Sequence, residues 1–447
     1  MKPFPEDPSF TPGEKGFDDR DENDRPYDLL GRKPVGQRLT DLLDRVEQPL
    51  VIALDGGWGS GKSHFLKLWT GAHSREFGGK AKIIYFDAFE HDYLDDPLIS
   101  LVARLTMTEA ETTWGNKAIK AIKKAALPLA KLSLRLGAAA ATAGATEVVG
   151  PVADAVVAET GEATQASIDA FWKRETGRIA AMQGFRNALI ALTKDGDDPQ
   201  KIFFIIDELD RCRPDYALSL LEIVKHFFAV PNVHFVLGTN ISALENSVRA
   251  RYGADIRATE YLTKFIHLRM RFPADRDHQG NGPWAKYFDH VCRQAGIGPN
   301  SAQSLRDNLT ILSHDTQISF RDVQRLVSRL ALFPKNFEGL WSSFQRLGSS
   351  ALIMEVLAPD HFAQLRNGTL VINKVLQLFP LEQAGRDALR DADQLNHLWR
   401  RVTMSDPGED TMKATAGAFG PFNDNLTKDY FDKLWVDLFD TFQITKS

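Results

Sequence analysis

Short apolar runs rich in β-branched and aromatic residues recur along the chain, each closing on polar or acidic positions. They span residues 50–54 before Asp55, 83–86 before Asp87, 202–206 before Asp207, and 233–237 before Gly238, Thr239 and Asn240. Apolar runs without strict alternation predict strands buried on both faces, as in a parallel sheet. Between them the period changes to that of helices. Residues 25–43 read as a loop and then an amphipathic helix, Phe65, Leu66, Leu68 and Trp69 share a helical pattern, 171–194 read as a helix, and Leu218, Leu221, Ile223, Val224 and Phe227 mark a helix started by Pro214. Ser242 and Glu245 have the spacing of a capping box for the next helix. Residues 261–272 predict a short helix running into a fifth strand, and beyond Pro273 only helical patterns and loops follow. Alternating strands and helices predict an α/β fold with a parallel sheet and a helical C-terminal region.

The first run leads into Gly56, Gly57, Trp58, Gly59, Ser60, Gly61, Lys62, Ser63 and His64, which satisfies G-x-x-x-x-G-K-[ST] between a predicted strand and a predicted helix. Glycines in that position free backbone N–H groups to wrap a phosphate chain, and the helix N-terminus adds partial positive charge. The motif predicts that Lys62 reaches the β- and γ-phosphates of a nucleotide and that Ser63 offers its hydroxyl to Mg²⁺. His64 closes the expected nucleotide-contacting set as a helix residue and not as a catalyst. The third run delivers Asp207 and Glu208 at a strand's C-terminal edge, where open α/β sheets place ligands. Asp207 suits the Mg²⁺ sphere, and Glu208 is placed to polarise an attacking water. Thr239 and Asn240, ending the fourth strand, are candidates to sense the γ-phosphate.

Composition narrows the partners. Net charge is −5 over 447 residues, which argues against wholesale nucleic-acid coating while allowing a local basic patch. The two cysteines, Cys212 and Cys292, form no disulfide framework or zinc site and suit a reducing, cytoplasmic compartment. Residues 1–24 mix Pro, Gly and charge, predicting a disordered tail. The remaining organisation reads as a core in two parts, 25–113 and 171–275, split by an insert at 114–170 and followed by a helical lid and accessory region at 276–447. Within the insert, Lys117, Lys120, Lys123, Lys124, Lys131 and Arg135 fall on one side of a helical wheel, opposite Ile122, Leu129, Leu132 and Leu136. Such a stretch is either a solvated helical hairpin or a surface for a protein partner or the membrane face, which would make the protein peripheral there. Residues 137–158 then turn rich in Ala, Gly, Thr and Val, with charges that argue against a full span.

The Gly57–Ser63 loop, the run Asp207-Glu208-Leu209-Asp210-Arg211-Cys212, the element Tyr261-Leu262-Thr263-Lys264-Phe265 and the stretch Phe320-Arg321-Asp322-Val323-Gln324-Arg325 together resemble the KAP family of P-loop NTPases. The resemblance implies a sheet with an extra strand between the two phosphate-site strands, followed by a helical bundle. It implies ATP or another NTP and Mg²⁺ as cofactors. Many members carry transmembrane helices where this chain has its charged insert, and most carry Asp where Glu208 stands. Arg321 or Arg325 would, by resemblance, read the γ-phosphate and transmit hydrolysis to the lid. The implied role is a regulated NTP-driven switch in a possible homo-oligomer, in bacterial phage defence. The alternatives are a nucleotide-gated scaffold with little turnover and, less favoured by the charge, a DNA-associated ATPase.

Overall fold

The computed structural model describes residues 10–94, 96–107, 116–126, 165–194, 200–271, 283–312, 316, 318–380, 389–404, 407–416 and 438–439. The expectations for residues 1–9, for Lys131, Arg135 and the stretch 137–158, and for the side chain of Lys117 lie outside them. Two compact units emerge: Phe10–Gly57 with Gly61–Phe272 form one, and Trp58–Ser60 cluster with the residues after Phe272 in the other.

The first unit is built on β1 (Leu50–Asp55), β2 (Lys82–Asp87), β3 (Ile202–Asp207), β4 (Val233–Thr239) and β5 (Leu268–Arg271). All pairings are parallel, and the strand order is β2-β3-β4-β1-β5, so β4 lies between the strand that leads into the glycine loop and the strand that delivers Asp207. The extra intervening strand expected from the resemblance is therefore present. β2, read as another buried strand, sits at the sheet edge.

Alternation along the strands sends side chains to two faces, and both are covered. Ile84, Phe86, Phe204, Ile206, Phe235 and Leu237 meet α4 (Pro97–Met107), α7 (Pro214–Phe227) and α8 (Ile241–Tyr252). Ile52, Leu54, Tyr85, Phe203, Ile205 and Val236 meet α1 (Lys33–Arg45) and α2 (Lys62–Arg75). Burial on both faces explains why the strands read as continuous apolar runs. Between β2 and α4 lies the single turn α3 (Ala88–His91). Then come α5 (Asn116–Ala126), whose Ile122 and Ala126 are buried while Lys120, Lys123 and Lys124 are exposed, and α6 (Gln165–Thr193).

The tail was expected to be disordered, but residues 10–24 are packed. Phe10 and Phe17 are buried with the α1–α2 face, and Phe10 meets Tyr27 and His64 edge-on, each at a ring distance of 5.3 Å. Two apolar side chains in a polar stretch are enough to anchor it, because the partner face was already waiting. The capping box expected at Ser242 also moves: α8 begins at Ile241, and Asn240 caps it by accepting from Ser242 and Ala243 N–H. Past α9 (Ala258–Leu262), the second unit comprises α10 (Trp284–Ala295), α11 (Pro299–Thr310), α12 (Phe320–Ala331), α13 (Ser342–Leu357), α14 (Pro359–Arg366), α15 (Ile372–Leu378), α16 (Leu389–Thr403) and α17 (Glu409–Ala414), with no strand among its described residues. Among the described residues, no helix is long and apolar enough to cross a membrane.

Candidate functional site

The glycine loop follows the buried end of β1. Gly59 and Gly61 hold φ of +74° and +79°, conformations a Cβ would strain, and Gly61 opens α2 without a side-chain cap. The amides of the first turn of α2 thus have no helical acceptor of their own and form an anion seat. Lys62 is 8% exposed and folds back, its Nζ donating to Gly56 O at 2.7 Å and to Gly57 O at 3.2 Å. Burial lowers its pKa, opposed by the charges of Asp210, Asp207 and Asp55.

The carboxylates divide into two kinds. Asp55 is neutralised: its Oδ1 accepts from Ile241 N–H at 2.9 Å, and its Oδ2 meets the Arg269 guanidinium of β5 at 2.5 Å. It is a structural tie across the sheet's end. Asp207, 1% exposed, is instead held by neutral donors. Tyr85 donates its phenol to Oδ2 at 2.5 Å, Glu208 donates its amide to Oδ1 at 3.0 Å, and Ser63 hydrogen-bonds the same carboxylate. Burial in that setting raises the Asp207 pKa. A buried carboxylate next to the loop's Ser63, provided with hydrogen bonds but no guanidinium, is a fitting ligand for a hard cation.

Glu208 adopts left-handed backbone, φ 58° and ψ 26°, which costs an L-residue roughly 1–2 kcal/mol. Its amide donates to Gly238 O at 3.1 Å as well as to Asp207, so the turn is fixed from two sides. Its Oε2 pairs with Arg211 Nη1 at 2.8 Å. Burial raises the Glu208 pKa, Arg211 lowers it, and the neighbouring Asp87, Asp207 and Asp210 raise it further. Arg211 is thus engaged within its own chain. Beside this turn, Arg213 is fastened to Asp92, whose Oδ2 accepts the Arg213 amide at 2.7 Å. The acidic, aromatic loop after β2 is therefore an ordered brace for the Asp207 turn, with Phe89 and Tyr93 exposed.

Thr239 Oγ1 is buried at the end of β4 without a hydrogen-bond partner among the described residues, while Asn240 Oδ1 is committed to the α8 cap. Of the two sensor candidates, Thr239 has its side-chain oxygen uncommitted, whereas Asn240 retains only its amide nitrogen for other contacts. Arg32 lies in the loop that opens the segment 25–43, read from the sequence as a nucleotide-contacting element or a plain packing helix. It is half-buried, its Nη1 donates to Gly61 O at 3.3 Å, and desolvation lowers its pKa to about 10. His64 Nε2 sits 2.9 Å from Tyr27 O, tying the loop helix to the segment before α1. Within the helical unit, Phe320 N–H donates to Gly59 O at 2.9 Å, and Ser319 and Asp322 form the capping box of α12. Arg321 and Arg325 are exposed on that helix, with Arg325 4.0 Å from Asp322. Cys212 is buried, and burial pushes its thiol pKa up, leaving it a packing residue. No group of His, Cys, Asp or Glu arranged as a protein-only metal cage occurs among the described residues.

A parallel sheet with β4 interposed, a glycine loop opening α2, and Asp207-Glu208 at the end of β3 define a P-loop NTPase. Residues 32–335 match the model of the KAP family P-loop domain, and the chain belongs to that family. A search of curated proteins returns no match. Among solved structures, the chain is distantly similar to CDC6P from Pyrobaculum aerophilum, at 12% identity over 92% of this chain and 95% of that one, with a TM-score of 0.38. It is similarly distant from the Aeropyrum pernix ORC2 protein in its ADPNP–ADP complexes, at 13% identity, 80% and 75% coverage, and a TM-score of 0.35.

Proposed function

We propose that the chain binds and hydrolyses ATP or a related NTP with Mg²⁺ and uses the reaction as a conformational switch. The observation that carries this reading is the convergence of Lys62, Ser63, Asp207 and Glu208 at the carboxyl ends of β1 and β3, with Ser63 hydrogen-bonded to Asp207. Lys62 leaves the Gly56 and Gly57 carbonyls and turns to the phosphates, balancing their charge where its own desolvation is offset. The amides at the start of α2 seat the phosphate chain, Ser63 and Asp207 hold the metal, and Glu208 orients the attacking water and takes its proton. When bound, Mg²⁺ neutralises charge on the phosphate oxygens. Thr239 offers its hydroxyl to the γ-phosphate or the water, and Arg321 or Arg325 is assigned the sensor role by family resemblance. A place in bacterial phage defence, a homo-oligomeric assembly and a cytoplasmic setting rest on that resemblance and the composition.

The test is steady-state ATP and GTP hydrolysis by the wild type, Lys62→Ala and Glu208→Gln, with binding followed in parallel. The expected result is turnover lost in both variants, with nucleotide still bound by Glu208→Gln. Turnover unchanged in either variant refutes the assignment of that residue. A second reading, a nucleotide-gated scaffold, is favoured by the exposed Lys120, Lys123 and Lys124 on α5 opposite buried Ile122. Its test is flotation with anionic vesicles, wild type against a variant with these lysines changed to Gln. Tight nucleotide binding without turnover, together with lysine-dependent flotation, would replace the switch by the scaffold.

A further inference from the structure

We infer that Tyr85 is a positioning residue for the metal-binding carboxylate, its phenol holding Asp207 in the single orientation that Mg²⁺ binding needs. This rests on the Mg²⁺–nucleotide reading above. Tyr85 is in register with Ile205 on the neighbouring strand, so Asp207, two residues on, lies diagonally across on the same sheet face. From there the phenol reaches Oδ2 at 2.5 Å. The opposite oxygen is fixed independently, by the Glu208 amide at 3.0 Å and by the close approach of Gly238, where an added Cβ would lie 2.3 Å from Oδ1. The carboxylate is clamped on both oxygens and has little room to rotate.

The hydroxyl is not needed for packing. The Tyr85 ring belongs to the apolar face with Phe203, Ile205 and Leu66, a role that phenylalanine fills equally well. Burying a hydroxyl requires a partner, and among the polar groups of this face the one it meets is the proposed metal ligand. Groups that orient a metal ligand commonly change metal affinity or activity by about 10–100-fold when removed. Because the carboxylate retains the Glu208 amide and the Ser63 hydroxyl, the lower end of that range is expected.

The experiment measures binding of a fluorescent ADP analogue by anisotropy, in Mg²⁺ and in EDTA, for the wild type and Tyr85→Phe, beside thermal midpoints of the nucleotide-free proteins. Affinity in EDTA should be equal, because Lys62 and the loop amides are untouched. The additional affinity gained with Mg²⁺ should fall about tenfold in Tyr85→Phe, with the half-saturating Mg²⁺ concentration rising by the same factor. A Mg²⁺-dependent gain equal to that of the wild type overturns the inference, and so does an equal loss in Mg²⁺ and EDTA, which marks a purely structural role. A wild type that gains nothing from Mg²⁺ refutes the metal reading itself and is recognised without the variant. Should Tyr85→Phe fail to fold, Tyr85→Met, which keeps apolar bulk and lacks the donor, is measured in its place against the same outcomes.

Discussion

Gly238 is in register with Asp207 across β3 and β4, and replacing it with alanine puts a methyl group into the most constrained part of the site. That Cβ would stand 2.3 Å from Asp207 Oδ1 and 2.6 Å from Leu66 Cδ1. Comfortable contact begins near 3.5 Å, so relief of about 1 Å is required. The Leu66 methyl can rotate away, whereas the carboxylate is held by Tyr85 and the Glu208 amide. Overpacking of this kind costs about 1–3 kcal/mol, which lowers the melting temperature by roughly 2–12 °C at about 2–4 °C per kcal/mol. A displacement of about 1 Å at a catalytic carboxylate costs on the order of 100-fold in turnover. Calorimetry and steady-state hydrolysis read the two effects. The matched control is Gly57→Ala, where an added Cβ meets nothing within 4 Å and stability should change by less than about 0.5 kcal/mol. A Gly238→Ala protein with wild-type melting temperature and turnover refutes the reasoning. So does a Gly57→Ala protein destabilised as much.

Two further outcomes follow from buried polar groups. His73 and His234 are 1% and 0% exposed, and burial depresses each pKa to about 4. The unfolded chain therefore binds protons before the folded one does, and stability is lost as pH falls from about 6.5 towards 4, by about 3 kcal/mol per histidine in full. Urea unfolding should show a lower free energy at pH 5 than at pH 7, and an increase on acidification would contradict the assignment. Asn240→Ala removes the α8 cap and should cost about 1 kcal/mol, whereas Asn240→Asp keeps an acceptor and should melt near the wild type. If Asn240→Asp nevertheless loses turnover, its amide nitrogen reads the phosphate as well.

What could be seen in the sequence was local. The glycine loop, the acids after β3 and the strands themselves are contiguous, so motif and apolar run sufficed for β1, β3 and β4. Contacts between distant positions left no such trace. Tyr85 meets Asp207 across 122 residues, and Arg32 meets Gly61 across 29. Nothing in the residues around Tyr85 distinguishes it from the other aromatics of a buried strand until β2 and β3 are set in register. The packed segment 10–24 escaped notice because its average composition is polar, and composition does not register two phenylalanines with a prepared surface. Asn240 was recognised as special, but its helix begins two residues earlier than the Ser242 spacing suggested, which gives its side-chain amide oxygen a structural task.

The strand order also determines where this site is open to outside influence. β2 pairs with β3 on one side and lies at the rim of the sheet, where Arg104 reaches over to hold the Tyr85 carbonyl at 2.8 Å. A rim strand is the easiest part of a sheet to shift, since a single ladder restrains it. Here that strand carries the phenol against Asp207, and the loop at its end, with Phe89 and Tyr93 facing solvent, is fastened by Asp92 to Arg213 beyond Glu208. A displacement of the rim would therefore bear first on Asp207 and on the turn that carries Glu208, the two acids of the proposed chemistry, through contacts that do not pass through the glycine loop.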